Sequence, residues 1–233
     1  RLYGAADAAN LRPCLFLIAP AFRIAMSAPI EATGLVLDRL EQELRDAPRV
    51  AETQFAPVLT LPRILEPEFC ATLMAYYRAG GATASGFARD EGGRTVQHID
   101  TFLKRRSDVT IEDDGLLAAI RSRLEERLFP MVKRALGWQA QHIERYLICR
   151  YGEEDLGFFS RHRDDATAGT AHRRFAVSLN LNDGYEGGDL KFPEFGPRAY
   201  RPPAGGATVF CCSLLHEATP VTAGERFVFV PFL

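Results

Sequence analysis

Two spacings of apolar residues divide this chain. In its middle they recur every three to four positions. Phe69, Leu73, Met74 and Tyr77 form one such face, the spacing of a helix that buries one side. Pro67 stands where a first helical turn tolerates proline, and Gly80-Gly81 closes the far end. Leu116, Leu117, Ile120, Leu124 and Leu128 predict a longer helix over 112–136, which Pro130 should kink or interrupt. A short strand is expected at 58–64. Residues 82–93, rich in Gly, Ala, Ser and charge, read as a mobile loop, and 95–110 has strand character. Within it, Lys104-Arg105-Arg106 reads as a solvated basic turn. From residue 143 on, the pattern changes to short β-like runs, at about 143–151, 157–163, 174–182, 188–192, 197–201, 206–213 and 225–232. Asn182-Asp183-Gly184, Gly187-Gly188, Pro202-Pro203 and Gly205-Gly206 punctuate them. Strands this short and this numerous predict a sandwich or jelly roll, with the helices buttressing one sheet.

Residues 1–50 stand apart. An apolar run over Pro13–Pro20 and a second around Phe22–Ala25 predict a strand pair, followed by a helix over about 33–45 carrying Leu35, Leu37, Leu40 and Leu44. Pro20 and Arg23 cut the apolar run well short of the ~20 residues of a membrane span, and a secretory signal also needs a longer apolar region. The Arg1 start is that of a processed form or a fragment. Residues 46–57, with Pro48 and Pro57, read as a linker. Two parts are therefore expected, an appendage over 1–50 and a larger domain over 51–233.

Composition narrows the setting more than the task. The chain has 233 residues, 47% hydrophobic and 25% charged, ample for one core plus an appendage. The formal net charge of −2 argues against a general nucleic-acid binder, and no membrane partner is expected. Cys14, Cys70, Cys149, Cys211 and Cys212 form no paired framework and no Cys-x-x-Cys. A reducing, cytoplasmic setting is the simpler reading. In Cys211-Cys212 one side chain should face the core and one outward.

The chemistry concentrates in two stretches. His162-Arg163-Asp164 offers an imidazole and a carboxylate at i and i+2, which a strand or its end directs to one face while Arg163 points away. His216 follows 52 residues after Asp164, and Arg226 ten residues after that. Two imidazoles and one carboxylate suit a divalent first-row metal, and with open positions opposite them they are the ligand set of non-haem Fe(II) oxygenases. Arg226 sits in the apolar run Arg226-Phe227-Val228-Phe229-Val230, where burying a guanidinium is costly unless it pairs with an anion. A forked guanidinium is well shaped for a carboxylate. The distal carboxylate of 2-oxoglutarate is the expected one. Each residue also has a plainer reading: a loop histidine, a turn-forming aspartate, a strand-end histidine, a core tyrosine at 151. His172 reads as a mouth or support residue, because a fourth ligand would close the site. His98 and His142 carry no expected role.

Beyond single residues, the order and spacing of several pieces resemble the 2-oxoglutarate- and Fe(II)-dependent dioxygenase superfamily, most of all its prolyl 4-hydroxylase-like branch. The pieces are Tyr146–Gly152, His162–Asp164, Tyr185–Leu190, Ala204–Phe210, Leu215–Val221 and Gly224–Phe227. The resemblance implies a mainly β (α+β) domain, a double-stranded β-helix of jelly-roll, cupin-like type buttressed by N-terminal helices. It implies that His162, Asp164 and His216 bind iron, that Arg226 binds 2-oxoglutarate as cosubstrate, and that Tyr151 is a second contact to it. It implies hydroxylation of a substrate with release of succinate and CO2, and ascorbate as the expected reductant. The branch points to a prolyl residue of a peptide or protein, and small molecules are also substrates in the superfamily. Related halogenases carry a small residue at the place that Asp164 fills, so hydroxylation is the outcome implied. Many relatives have Tyr three residues before the first ligand, and here Phe159 stands there. The alternative in another class is a non-catalytic jelly roll that senses metal or 2-oxoglutarate; a zinc hydrolase lacks an acid/base Glu at a diagnostic spacing. Residues 1–50 resemble, over some 35 positions, the closing segment of a thioredoxin-like peroxiredoxin domain, without a redox motif and so without an implied activity. Finally, Arg161, Arg163, Arg173 and Arg174 around the metal motif predict a substrate with acidic or carbonyl-rich surroundings.

Overall fold

The computed structural model describes residues 13–19, 23–46 and 54–233 and separates into two units, divided after Ala51. Most of the expected linker, 47–53, lies outside the described residues. In the first unit, strands β1 (Cys14–Ala19) and β2 (Arg23–Pro29) pair antiparallel and lead through a 3-10 turn into helix α1 (Thr33–Asp46). Glu-to-Arg pairs one turn apart line that helix, while Leu35, Leu37 and Leu44 are all exposed. No described helix is long and apolar enough to cross a membrane.

The second unit begins with β3 (Leu59–Leu61) and helix α2 (Pro67–Ala79). Pro67 opens the helix, and Gly80 ends it with an extended backbone (φ −84°, ψ 162°) rather than the left-handed one common at such ends. Strands β4 (Thr83–Ala84), β5 (Phe87–Glu91), β6 (Arg94–His98), β7 (Lys104–Arg105) and β8 (Ser107–Thr110) follow. The expected loop over 82–93 is therefore corrected: much of it is one arm of a β-hairpin. Glu91 pairs with Arg94 across Gly92-Gly93, whose φ values of 55° and 79° are what a tight two-residue hairpin requires. Phe87-Ala88-Arg89-Asp90-Glu91 has no β-branched residue and is at least partly exposed throughout, so neither propensity nor alternation revealed it.

Helix α3 (Asp114–Arg123) is capped by Asp113, whose carboxylate accepts the Leu116 N–H at 2.7 Å. It does not run straight into α4 (Phe129–Leu136). A π-helical turn at Leu124–Leu128 intervenes, with the Phe129 N–H reaching back to the Leu124 carbonyl. Pro130 supplies no N–H to the ladder, and the widened turn just before it is the interruption the sequence predicts. The helical side chains still form one stripe: Ile120, Leu124, Leu128 and Val132 are fully buried.

The remaining strands build two facing sheets and a separate two-stranded pair. They are β9 (Leu147–Gly152), β10 (Phe158–His162), β11 (Phe175–Asn180), β12 (Glu186–Gly187), β13 (Leu190–Lys191), β14 (Ala199–Tyr200), β15 (Ala207–Cys211), β16 (His216–Ala218), β17 (Val221–Ala223) and β18 (Glu225–Phe229). One sheet has the order β3-β15-β11-β18-β9-β8-β4 and the other β14-β13-β16-β10-β7. The first packs its outer face on α2, α3 and α4: Val177, Leu179, Phe227 and Phe229 join Leu73, Ile120 and Leu124 in one core. Its inner face turns Tyr151 and Val228 toward the second sheet. Period two thus splits β18, with Phe227 and Phe229 toward the helices and Arg226 and Val228 inward. This is the double-stranded β-helix with helices on one sheet. Among the five cysteines no disulfide is formed; Cys212 is fully buried and Cys211 partly exposed, the split their adjacency on a strand predicts.

Candidate metal centre and its cavity

His162 is the last residue of β10 and His216 the first of β16, and the two are register partners across an antiparallel pair. That pairing sets the imidazoles side by side, ring centroids 4.1 Å apart. Asp164 lies beyond the strand, in a turn whose backbone is held by its N–H to the Cys212 carbonyl at 2.9 Å. Its carboxylate stands between the rings, Oδ1 3.5 Å from His162 Nε2 and Oδ2 3.4 Å from His216 Nε2. The three ligand atoms lie within 4.8 Å of one another. Arg163 points elsewhere, onto Glu194 at 2.6 Å and the Ser213 carbonyl.

The donor set fits a metal in its details. Nδ1 of His162 bonds the Ser160 carbonyl at 2.7 Å, and Nδ1 of His216 the Leu214 carbonyl at 2.9 Å. Carbonyl acceptors there require Nδ1–H, which leaves both Nε2 lone pairs facing the carboxylate and free for a cation. Burial pushes His216 down from 6.5 to about 4, so it is neutral near pH 7. Burial pushes Asp164 up, yet the imidazoles of His216 and His162 overcome it and hold the carboxyl below its ordinary value. Three protein ligands leave positions for small molecules on a six-coordinate ion.

These two shifts make a testable statement about the metal-free protein. At mildly acid pH the unfolded chain binds more protons than the folded one, because both groups have depressed folded pKa values. Their stabilisation is fully present above 6.5 and falls as pH drops toward about 4 through His216, then further through Asp164. The His216 share is on the order of 3 kcal/mol. The urea midpoint should fall across that window, and His216→Asn should flatten the decline between 6.5 and about 4.

From the triad a cavity runs inward along the first sheet to Arg226. Arg226 is 3% exposed. Its guanidinium donates to Ser178 Oγ at 2.9 Å and Asn180 Oδ1 at 3.1 Å, and lies 5.5 Å from the centre of the Tyr151 ring. No carboxylate pairs with it among the described residues. Neutral partners fix where the fork points without cancelling its charge. Tyr151, also buried in this cavity, accepts from Arg106 Nη1 at 3.3 Å.

The structure brings His162, Asp164, His216, Tyr151 and Arg226 to one cavity, and adds residues the sequence reading did not single out. Ser178 and Asn180 alternate as the polar positions of an otherwise apolar strand, a period-two signal that was available. The basic turn is corrected. Lys104 is 5% exposed and lines the cavity, and Arg106 is buried against Asp108 at 2.7 Å; only Arg105 faces out, onto the Asp155 carbonyl. Burial, helped by Arg106, pushes Lys104 down to about 7. Phe159 stacks on His162 with centroids 3.5 Å apart, and Lys104 Nζ sits 4.5 Å from its ring centre. Where many relatives have a tyrosine hydroxyl, this chain thus has an aromatic face and an ammonium. His172 is exposed and bonds Glu144 at 2.8 Å, away from the triad. The expected arginine cluster is largely spoken for: Arg161 pairs with Glu217, Arg163 with Glu194 and Arg173 with Glu144.

Comparison with known proteins agrees with this geometry. No family model matches the chain. It is 34% identical over 178 residues to a PKHD-type hydroxylase of Thioalkalivibrio sulfidiphilus, covering 72% of this chain and 74% of that one. It is 28% identical over 144 residues to a PKHD-type hydroxylase of Maricaulis maris, covering 60% of this chain and 64% of the relative. Against the PKHD-type hydroxylase of Hyphomonas neptunium it spans only 41% of the relative's length. Its fold is shared with a Pseudomonas putida prolyl-4-hydroxylase, at TM-score 0.57 and 18% identity over 85% of this chain and 98% of that one. A Trichoplax adhaerens prolyl hydroxylase, solved with a hypoxia inducible factor peptide fragment, aligns at TM-score 0.60 and 14% identity over 87% and 90%. Sequence identity of 34% over nearly three quarters of a PKHD-type hydroxylase, on a fold shared with solved prolyl hydroxylases, means that the chain belongs to the PKHD-type hydroxylases.

Proposed function

We propose that this chain is a 2-oxoglutarate- and Fe(II)-dependent dioxygenase that hydroxylates a carbon of its substrate, with a prolyl residue of a peptide or protein as the first candidate. The observation that carries this reading is the pairing of two unfinished sites in one cavity: an imidazole–imidazole–carboxylate triad at one end and a buried, unneutralised guanidinium at the other. A dicarboxylate with a keto group beside one carboxylate spans such a pair.

In this reading His162, Asp164 and His216 hold Fe(II), and the metal when bound supplies the oxidising chemistry, with ascorbate as reductant. The protein's own residues bind and orient. Arg226, aimed by Ser178 and Asn180, takes the distal carboxylate of 2-oxoglutarate, and Tyr151 walls the same space. Val228, Leu190 and Phe210 line the cavity with apolar surface and keep water from it. Residues 1–50 are an appendage that supplies none of these groups, and 51–233 form the dioxygenase domain.

The test is stoichiometric. Iron-loaded protein given 2-oxoglutarate and dioxygen should form succinate, and CO2 in equal amount. Lysate proteins or prolyl peptides treated this way should gain one oxygen by mass spectrometry. Iron-loaded, folded protein that binds 2-oxoglutarate yet forms no succinate with any such substrate would assign it instead to the sensing class.

A further inference from the structure

Around the metal triad, cations outnumber their counterions. A second chamber opens on the outer side of the triad, between the β5–β6 hairpin and the loop over 163–173, and Lys104 and Arg145 line both this chamber and the inner cavity. Asp164 is the one carboxylate among the described residues lining either space, and it is committed to the metal triad. The other basic residues there have partners. Arg106 pairs with Asp108, Arg161 with Glu217, Arg163 with Glu194 and Arg173 with Glu144. Arg226 is reserved for the cosubstrate.

Lys104 and Arg145 are left over. The Lys104 ammonium donates to the Gly86 carbonyl at 2.6 Å and faces the Phe159 ring. Neither partner carries a charge, and an ammonium has two further donors to place. Arg145 has no hydrogen bond or ion pair among the described residues; its guanidinium stands 5.4 Å from the Phe232 ring centre. Its backbone is left-handed, φ 68°, unusual for an arginine and of the kind held at functional sites. Burial disfavours the charge on both; Arg106 and Arg145 add to this at Lys104, and Arg106 and Arg173 at Arg145, with Asp108 opposing them. Two largely buried like charges without an anion are expensive to keep unless an anion completes them.

We propose that the outer chamber takes a substrate bearing a carboxylate close to the carbon that is oxidised, and that Lys104 and Arg145 hold that carboxylate. This rests on the dioxygenase reading and adds the substrate's charge to it. The carboxylate belongs either to a free acid, as at the end of an amino acid or peptide, or to an acidic side chain next to the target residue. In both cases the cations fix the orientation of the carbon skeleton beside His162, and Phe159, stacked on that imidazole, is part of the wall. A substrate cationic at that position is rejected by the same pair.

The experiment is calorimetric binding to the anaerobic holoprotein with iron and saturating 2-oxoglutarate, using probe pairs that differ only in charge. N-acetylproline against N-acetylprolinamide reports a free carboxylate. Acetyl-Ala-Pro-Glu-Ala-amide against its Gln analogue reports a side chain. Benzoate against benzamide removes the prolyl assumption. In at least one pair the acid should bind about tenfold or more tightly, and which pair identifies the source. Lys104→Gln and Arg145→Gln should each erase that preference while the Kd for 2-oxoglutarate stays within about twofold of wild type. Equal binding within every pair, or no binding by any acid, overturns the proposal in the wild-type protein without recourse to variants. A variant that instead weakens 2-oxoglutarate reassigns these cations to the cosubstrate and also overturns it. Failure of the dioxygenase reading itself shows separately, as absence of 2-oxoglutarate binding before any probe is added.

Discussion

Asp164→Ala should lower 2-oxoglutarate turnover by at least a hundredfold while the protein stays folded. The size follows from what the carboxylate does. It is the one anionic member of the triad, 3.5 Å and 3.4 Å from the two Nε2 atoms. Losing groups that merely orient a metal ligand commonly costs about 10–100-fold in affinity or activity, so losing a ligand must cost at least as much. The fold should survive, because the substitution removes a buried charge, and the His216 imidazole beside it is neutral near pH 7. His162→Ala and His216→Ala should match it in turnover and lose bound iron as well. Succinate formation, iron content and far-UV dichroism on the four proteins check this. Full turnover by iron-loaded Asp164→Ala would remove the triad from the mechanism.

Arg226→Ala should raise the KM for 2-oxoglutarate steeply and leave iron bound. Removing one partner of a desolvated charge pair costs about 2–5 kcal/mol, which is roughly 30-fold to several-thousand-fold in affinity. Two features place it in that range. Arg226 is almost completely buried, and its hydrogen bonds to Ser178 and Asn180 are already made, so no side-chain ordering offsets the gain on binding. Arg226→Lys should recover only part, since a single ammonium cannot keep both neutral partners and fork onto a carboxylate. Initial-rate kinetics across 2-oxoglutarate concentrations separate this from a metal defect. An unchanged KM in a folded, iron-loaded variant would place the anchor elsewhere.

Why was so much of this site legible before any coordinates? The groups at its centre are residue types that a sheet interior tolerates badly unless chemistry requires them. Arg226 inside an apolar strand and a His-x-Asp ahead of a distant His both ask for a partner; the fold brings the two histidines and the aspartate together and puts Arg226 in the same cavity. The longer strands of the first sheet were legible as short apolar runs between turn signals. What escaped depends on pairing across distance. The hairpin arm at Phe87–Glu91 has no apolar alternation and exists because β6 hydrogen-bonds to it. The three-residue strand His216–Ala218 is too short to show a period at all. Lys104 and Arg106 looked solvated because a counterion 2 residues away in sequence, Asp108, and a carbonyl 18 residues away, Gly86, were invisible as partners. Local sequence also does not tell which arginines near the metal motif are already neutralised, as Arg161, Arg163 and Arg173 are.

The register between His162 and His216 has a consequence for assembly. The two imidazoles meet only when the intervening chain has built its strands and returned to pair β16 with β10. No fragment of the domain that stops short of this closure holds a complete set of ligands. Any metal affinity of this triad is therefore tied to the folding of the domain. A chain that has not yet paired β16 with β10 has two of the three groups of the triad in one place and lacks the third.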